Sequence, residues 1–230
     1  MIVSAYLRAD DIRKLKKCKV ISRLGNGCDK IDLLEAARHG IVVANVPDSF
    51  TAEVADHTMA LMLSALRKLK DHEELMRQGR RPEDTFGLHR ISSLTLGLIG
   101  FGRIGRMVAS RAKAFGMRVI VSDPALSKTD AAEAGVEVSS FDKILETADV
   151  ISLLCPLLPS TKGMLSMKEF RRMKKSAVLI NTARGELVNE AELAEALKTG
   201  VIAWAGVDVF GGINVFAEGG FPTDHPYFSL

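Results

Sequence analysis

Short apolar runs alternate with amphipathic segments along most of the chain. Residues 96–99 are almost entirely apolar, as is typical of a parallel strand that is buried on both faces. Over residues 106–115 the apolar positions recur at helical spacing, and Gly116 follows as a helix stop. The alternation continues to Val207. Most of the chain is therefore predicted to form an α/β domain with a doubly wound parallel sheet.

The N-terminal part of the chain shows a shorter version of this pattern. Strands are predicted at residues 2–6, 20–24 and 41–46, and a helix between them ends at His39. This segment is too short to form a well-covered doubly wound sheet. A long helical pattern from residue 51 to about residue 77 follows. That helix would bridge two domains, contact a partner subunit or pack against its own sheet.

Composition excludes several classes of function. Of the 230 residues, 47% are hydrophobic and 26% are charged, which is ordinary for a globular protein. The net charge is +3 and the basic residues are dispersed, so nucleic-acid binding is not indicated. No apolar run approaches the length of a membrane span, and the first ten residues lack the features of a signal peptide. Three cysteines without metal-ligand spacing suit a reducing compartment, so we predict a cytoplasmic protein without a metal site.

A glycine motif, Gly100-x-Gly102-x-x-Gly105, stands between a predicted strand and the helix that follows it. Residues without a Cβ let a pyrophosphate approach the backbone, and the helix N-terminus attracts its charge. The next predicted strand ends at Asp123, eighteen positions after Gly105. A carboxylate there accepts hydrogen bonds from an adenine-ribose diol and repels a 2′-phosphate, which predicts NAD rather than NADP. The alternative is a structural glycine turn with Asp123 as a strand-end cap.

The other chemically distinctive segments also follow predicted strands. In open parallel sheets the ligand lies at the carboxyl ends of the strands. The segments that fall there are residues 100–105, 123–124, 155–159 and 181–185, together with Asp208 after the last strand. We therefore expect them to surround one ligand.

Six motifs occur in a recognisable order. They are Gly-Asn-Gly-Cys-Asp-Lys-Ile-Asp at 25–32, Val-Ala-Asp-His-Thr at 54–58, Gly-Leu-Ile-Gly-Phe-Gly-Arg-Ile-Gly at 97–105, Ala-Asp-Val-Ile-Ser-Leu-Leu-Cys-Pro-Leu at 148–157, Leu-Ile-Asn-Thr-Ala-Arg-Gly-Glu-Leu-Val at 179–188 and Gly-Val-Asp-Val-Phe at 206–210. In this order and spacing the chain resembles the D-isomer-specific 2-hydroxyacid dehydrogenases, which include phosphoglycerate, glycerate and D-lactate dehydrogenases and the C-terminal-binding-protein corepressors. The resemblance covers nearly the whole chain.

The resemblance implies two domains and a reaction. Residues 1–49 would be part of a flavodoxin-like substrate domain, and residues 50–230 an NAD-binding Rossmann domain that lacks its C-terminal end. The implied protein is a phosphoglycerate dehydrogenase-like enzyme, truncated at both ends, that transfers a hydride between NAD and a D-2-hydroxyacid or 2-oxoacid. We predict a homodimer without membrane or nucleic-acid partners. Two alternatives stay open: a non-catalytic NAD(H)-binding module of the corepressor type, and an inactive fragment that lacks the catalytic histidine.

The resemblance also implies roles for individual residues. Arg184 matches the catalytic arginine, whose planar fork can hold a substrate carboxylate in a way that lysine cannot; a surface salt bridge is its alternative. Asn26 and Gly27 match substrate-contacting positions, and Asp208 matches the aspartate that anchors the nicotinamide carboxamide. The predicted cofactor-binding residues are Thr58, Gly100, Gly102, Arg103, Ile104, Gly105, Asp123, Cys155, Thr182, Ala183 and Asp208.

The acid–base residues of the family are harder to match. Its catalytic histidine is paired with a glutamate that orients it and raises its pKa. After Phe210 the family's Glu-Pro is absent at the usual spacing, so the glutamate role falls to Glu218 across an insertion; the alternative is a solvated loop carboxylate. The family's histidine would follow Leu230. His225 does not match its position, and His57 is predicted to be structural.

Overall fold

The computed structural model describes residues 6–81, 88–213 and 224–230. These residues form two compact units. The first unit ends at Thr51, and the second begins at Ala52 and includes residues 224–230. Within the described ranges, no helix combines the length and the apolar character that crossing a membrane requires.

The first unit is a small α/β layer. Its helices are α1 (Ala9–Lys14) and α2 (Leu33–Arg38), and its strands are β1 (Val20–Ser22) and β2 (Val42–Ala44). The two strands pair in parallel. The helix α2 begins where the Asp32 side chain accepts a hydrogen bond from the Glu35 N–H at 2.9 Å, which satisfies one free donor of the first turn. Of the strand predicted at 2–6, residues 2–5 lie outside the described residues. The apolar core of the unit consists of Ile12, Ile21, Ile31, Ala36 and Ile41.

The second unit contains a six-stranded parallel sheet. Its strands are β3 (Thr95–Ile99), β4 (Arg118–Ser122), β5 (Glu137–Val138), β6 (Val150–Leu153), β7 (Val178–Asn181) and β8 (Trp204–Val207). All of the strand pairs are parallel, and their order is β5-β4-β3-β6-β7-β8. The predicted doubly wound α/β fold is thereby confirmed. The short strand β5 was not predicted.

Helices of the second unit cover both faces of this sheet, and two apolar clusters fill the space between. Alternate strand residues contribute to opposite clusters. Leu98 joins the cluster with residues of the helices Thr51–Leu66 and Arg103–Ala114, and Ile99 joins the cluster with residues of the helices Phe141–Thr147 and Glu190–Lys198. This two-sided burial explains why the interior positions of the central strands are largely apolar. The helices are α3 (Thr51–Leu66), α4 (Leu69–Arg77), α5 (Arg103–Ala114), α6 (Lys128–Ala134), α7 (Phe141–Thr147), α8 (Met167–Phe170) and α9 (Glu190–Lys198).

The long helix predicted from residue 51 to about residue 77 is two helices. Lys68 has a left-handed backbone conformation, with φ of 50° and ψ of 41°, and this ends the regular helix between α3 and α4. Four residues of α3 are buried in one apolar cluster of the second unit, which favours packing of this helix against its own sheet. They are Ala55, Met59, Met62 and Ala65. Helix α4 buries no residue.

Candidate functional site

The strand order creates a crevice at the carboxyl end of the sheet. From β3 the chain proceeds outward through β4 to β5, and it then returns to place β6 on the other side of β3. The connections after β3 and after β6 therefore leave the sheet in opposite directions. This change of direction is where open α/β sheets bind their ligands. The glycine motif follows β3, and Cys155 follows β6.

The three glycines of the motif have different surroundings. Gly100 has a φ of +100°, and a Cβ there would lie 2.6 Å from the Cys155 nitrogen. A Cβ on Gly105 would lie 2.7 Å from the Gly100 carbonyl oxygen. A Cβ on Gly102 would meet no atom within 4 Å, although Gly102 is the N-cap of the twelve-residue helix α5. Two glycines are thus required by the protein's own packing, while Gly102 leaves an open cradle at a helix N-terminus, where an anion is favoured.

Two other predicted cofactor residues, Arg103 and Ile104, form the first turn of α5 beside this cradle. Arg103 is exposed, and Ile104 packs against the apolar cluster beneath α5. Their position brings the backbone of the first helical turn to the open space at Gly102. A pyrophosphate that approaches this open space would meet the free N–H groups and the positive dipole end of α5.

Asp123 is fixed beside the glycine loop by two backbone groups. Its Oδ2 accepts a hydrogen bond from the Phe101 N–H at 2.6 Å, and its Oδ1 accepts one from the Ala125 N–H at 2.8 Å. The second bond is the local turn expected of a strand-end cap, whereas the first joins the carboxylate to the loop after β3. Each oxygen keeps a further lone pair for a hydroxyl donor. The carboxylate oxygens can thus accept hydrogen bonds from the hydroxyls of a ribose diol, and their negative charge would repel a phosphate.

The loop after β7 is organised by Asn181. Its Nδ2 donates to the Arg184 carbonyl oxygen at 2.8 Å, and its Oδ1 accepts from the Ala183 N–H at 3.1 Å. The Arg184 guanidinium also donates from Nη1 to the Ala183 carbonyl oxygen at 2.6 Å. Because a buried residue at the end of the sheet holds the backbone of both Ala183 and Arg184, the backbone position of the arginine is set by the strand.

A buried pair of hydroxyls joins this loop to α3. The Oγ1 atoms of Thr58 and Thr182 lie 2.8 Å apart, and the Thr58 hydroxyl also donates to the Val54 carbonyl oxygen at 2.7 Å. Asp208 comes to the same place from β8, because its N–H donates to the Asn181 carbonyl oxygen at 3.0 Å. Thr58, Thr182 and Asp208 are therefore held at one end of the sheet. The positions of Thr182 and Asp208 after predicted strands suggested this, whereas Thr58 reaches the same place from a helix.

Cys155 is a neutral thiol at the carboxyl end of β6. The pKa of this thiol is raised to about 11, chiefly by burial; its backbone hydrogen bond opposes the rise, and the nearby charge of Asp123 adds the smallest contribution to it. Its sulfur lies 3.9 Å from the Met164 sulfur. At neutral pH it is a small apolar surface beside the glycine loop and is not activated as a nucleophile.

Two of the predicted substrate-contacting residues, Asn26 and Gly27, lie in a loop of the first unit. The Asn45 Nδ2 donates to the Asn26 carbonyl oxygen at 2.8 Å, and the Arg23 Nε donates to the Gly27 carbonyl oxygen at 3.1 Å. The loop is thus held by its backbone, and the Asn26 side chain is exposed. Glu218 lies outside the described residues.

A buried histidine that the sequence did not indicate, His225, contacts Glu190 at the start of α9. The Nε2 of His225 lies 3.3 Å from the Glu190 Oε2, and the Glu190 Oε1 accepts from the Gly211 N–H at 2.9 Å. The Nδ1 of His225 accepts from the Tyr227 N–H at 3.3 Å. Burial, and then the charge of Glu190, raises the pKa of Tyr227 above its usual range. Glu190 is an ordinary acidic residue of the first turn of α9, so nothing in the sequence indicated that it contacts His225 and the Gly211 N–H.

Comparison with known proteins extends this description. Residues 59–228 match the family described as "D-isomer specific 2-hydroxyacid dehydrogenase, NAD binding domain". The chain is 41% identical over 222 residues to the D-3-phosphoglycerate dehydrogenase of Methanocaldococcus jannaschii, a match that covers 96% of this chain and 41% of that protein. It is 37% identical over 219 residues to the glyoxylate reductase of Korarchaeum cryptofilum, which covers 93% of this chain and 64% of that protein.

Solved structures have the same fold. The D-lactate dehydrogenase from Aquifex aeolicus, complexed with NAD and lactic acid, superposes with a TM-score of 0.89 at 34% identity. That match covers 97% of this chain and 69% of the other. The present chain spans 41% of the length of the M. jannaschii phosphoglycerate dehydrogenase and 40% of that from Bacillus subtilis.

Proposed function

Because the chain belongs to the family of D-isomer-specific 2-hydroxyacid dehydrogenases, we propose that it binds NAD and takes part in hydride transfer between this cofactor and a D-2-hydroxyacid or its 2-oxoacid. The observation that carries the proposal is the open cradle at Gly102, with the Asp123 carboxylate fixed beside it. Bound NAD would supply the hydride acceptor for oxidation and, when reduced, the hydride donor.

The residues of the second unit divide between the two ends of the cofactor. The first turn of α5 would hold the pyrophosphate, and Asp123 would accept the hydroxyls of the adenine ribose. At the nicotinamide end, Cys155, Thr182 and Ala183 would line the ring, and Thr58 would support Thr182 through their 2.8 Å contact. Asp208 would accept a hydrogen bond from the NH2 group of the carboxamide, since an ionised carboxylate can only accept hydrogen bonds.

Arg184 would bind the substrate carboxylate. Its backbone is held by Asn181, and its guanidinium presents a fork of donors that matches two carboxylate oxygens. The same positive charge would polarise the C2 oxygen on which negative charge develops during reduction. Asn26 and Gly27 would contact the substrate, and Glu218 would orient the acid–base group. His225 does not serve as that group in this proposal, because Glu190 and the Tyr227 N–H engage both of its ring nitrogens.

The proposal includes a homodimer that works in the cytoplasm. Cys18, Cys28 and Cys155 are all unpaired in the described part of the chain, which suits a reducing compartment. We further propose that residues 1–49 are part of a substrate domain and that residues 50–230 are the NAD-binding domain.

The proposal is tested by titrating NADH and NADPH against the protein, followed by assays of 2-oxoacid reduction with pyruvate and glyoxylate. We expect NADH to bind and NADPH to bind at least tenfold more weakly, because Asp123 would face the 2′-phosphate. Arg184→Gln should retain NADH binding and lower kcat/KM by about 10- to 100-fold, the loss expected for a charge-assisted hydrogen-bonded pair.

The possible results separate the alternatives. Failure to bind NADH would refute the proposal, and a preference for NADPH would refute its cofactor assignment. Binding of NADH without reduction of any 2-oxoacid would support the non-catalytic NAD(H)-binding module instead. Arg184→Lys is the matched control: it keeps the charge and loses the fork, so we expect activity that remains well below that of the native protein.

A further inference from the structure

His57 contacts one of the residues at the proposed nicotinamide end. Its Nε2 lies 3.3 Å from the Asp208 Oδ1, and the two side chains are 48% and 50% exposed. His57 belongs to α3, while Asp208 directly follows β8. Its position inside a helix predicts only a structural role for His57, but the contact places its imidazole against a carboxylate of the proposed site.

The backbones on both sides of the contact are already fixed by other groups. Thr58, the neighbour of His57, shares a buried hydrogen bond with Thr182 at 2.8 Å. The Asp208 N–H donates to the Asn181 carbonyl oxygen at 3.0 Å. Both backbones are therefore held by consecutive residues at the end of β7. The contact is not needed to bring α3 and β8 together.

The Asp208 side chain is less constrained than its backbone. It is half exposed, so packing constrains its rotamer less than that of a buried side chain. Within the described ranges, the side chain that contacts this carboxylate is that of His57. An imidazole at 3.3 Å selects the rotamer in which Oδ1 faces α3, and Oδ2 then remains available as an acceptor.

We propose that His57 is a positioning residue that holds the Asp208 carboxylate for the carboxamide of the nicotinamide. His57 acts through Asp208 and does not itself touch the cofactor. The inference rests on the proposed function, because that function supplies the nicotinamide. An exposed pair of this kind contributes little to stability, so its effect is confined to the orientation of one acceptor.

The test compares two probes that differ at one end only. NADH carries the nicotinamide, whereas ADP-ribose carries the same adenine, ribose and pyrophosphate without it. For His57→Ala we expect NADH to bind about two- to fivefold more weakly and ADP-ribose to bind unchanged. In an Asp208→Ala background, His57→Ala should have no further effect on NADH, because its route through the carboxylate is gone. His72→Ala, on α4, is the matched control and should bind both probes like the native protein.

Each result decides something. If the native protein binds neither NADH nor ADP-ribose, the proposed function fails and the positioning role of His57 fails with it; the results that follow refute the role of His57 alone. Unchanged NADH binding in His57→Ala refutes the positioning role, as does an equal loss for both probes. A loss that persists in the Asp208→Ala background also refutes it. Should His57→Ala fold poorly, His57→Gln keeps an amide donor near Oδ1, and its NADH affinity should then lie between those of the native protein and the Asp208→Ala variant.

Discussion

Gly102→Ala separates the shape of the glycine loop from the fold that surrounds it. The backbone at Gly102 has φ of −71° and ψ of −159°, an extended conformation that alanine adopts without strain. The added methyl would meet no protein atom within 4 Å. Because glycine is a better N-cap than alanine, we expect a loss of at most about 1 kcal/mol in the free energy of unfolding.

Cofactor binding should respond much more strongly than stability. The methyl of Gly102→Ala would stand in the open space at the N-terminus of α5, where the pyrophosphate would approach the backbone. Loss of one charge-assisted hydrogen bond costs about 1.5–3 kcal/mol, so we expect NADH to bind roughly 10- to 100-fold more weakly.

Gly100→Ala is the matched control within the same motif. Its φ of +100° is unfavourable for alanine, and its Cβ would lie 2.6–2.7 Å from backbone atoms of Leu154 and Cys155. A left-handed conformation and an overpacked contact cost about 1–2 and 1–3 kcal/mol, so this variant should lose a large part of the stability of the domain.

Thermal melts and NADH fluorescence titrations measure both effects. Gly102→Ala should melt close to the native protein and bind NADH weakly, whereas Gly100→Ala should melt at a clearly lower temperature. Native-like NADH affinity in Gly102→Ala would show that the pyrophosphate does not use this cradle. If Gly102→Ala instead melts as low as Gly100→Ala, the space around Gly102 is not open.

Two further predictions concern stability. The pKa of Glu35 is lowered chiefly by its hydrogen bond to Arg13. The contribution of Glu35 to stability is therefore present above the unfolded pKa of about 4.3 and is lost as pH falls through the lower folded value. Hydrogen-exchange protection in α2 should fall with acid in the native protein, and an equally steep fall in Glu35→Gln would contradict this. The Ser152 hydroxyl is buried without a hydrogen-bond partner in the described structure, so Ser152→Ala should raise the free energy of unfolding, measured in urea, by about 1 kcal/mol. Thr58→Val is the control: it removes a hydroxyl that has a partner and should lower the free energy of unfolding by about 1 kcal/mol. Destabilisation by Ser152→Ala would refute the first expectation.

Local pattern was sufficient for much of the fold. Burial on both faces makes a parallel strand apolar throughout, so β3, β4, β6, β7 and β8 could all be predicted from the sequence. The helix caps at Ser140 and Asn189 were equally visible, because a cap depends on residues only three positions apart. The glycine motif and Asp123 were recognisable for the same reason: a strand, a turn and a helix that bind a pyrophosphate are adjacent along the chain.

Tertiary structure alone decided the features that depend on distant residues. The strand order, the separate roles of Gly100 and Gly102, and the contact between His57 and Asp208 leave no periodic trace in the sequence, because their partners lie far apart along the chain. The end of α3 near Lys68 likewise interrupts a pattern that was helical throughout. The sequence determined which elements form and that a nucleotide motif is present, while packing determined which side chains meet around it.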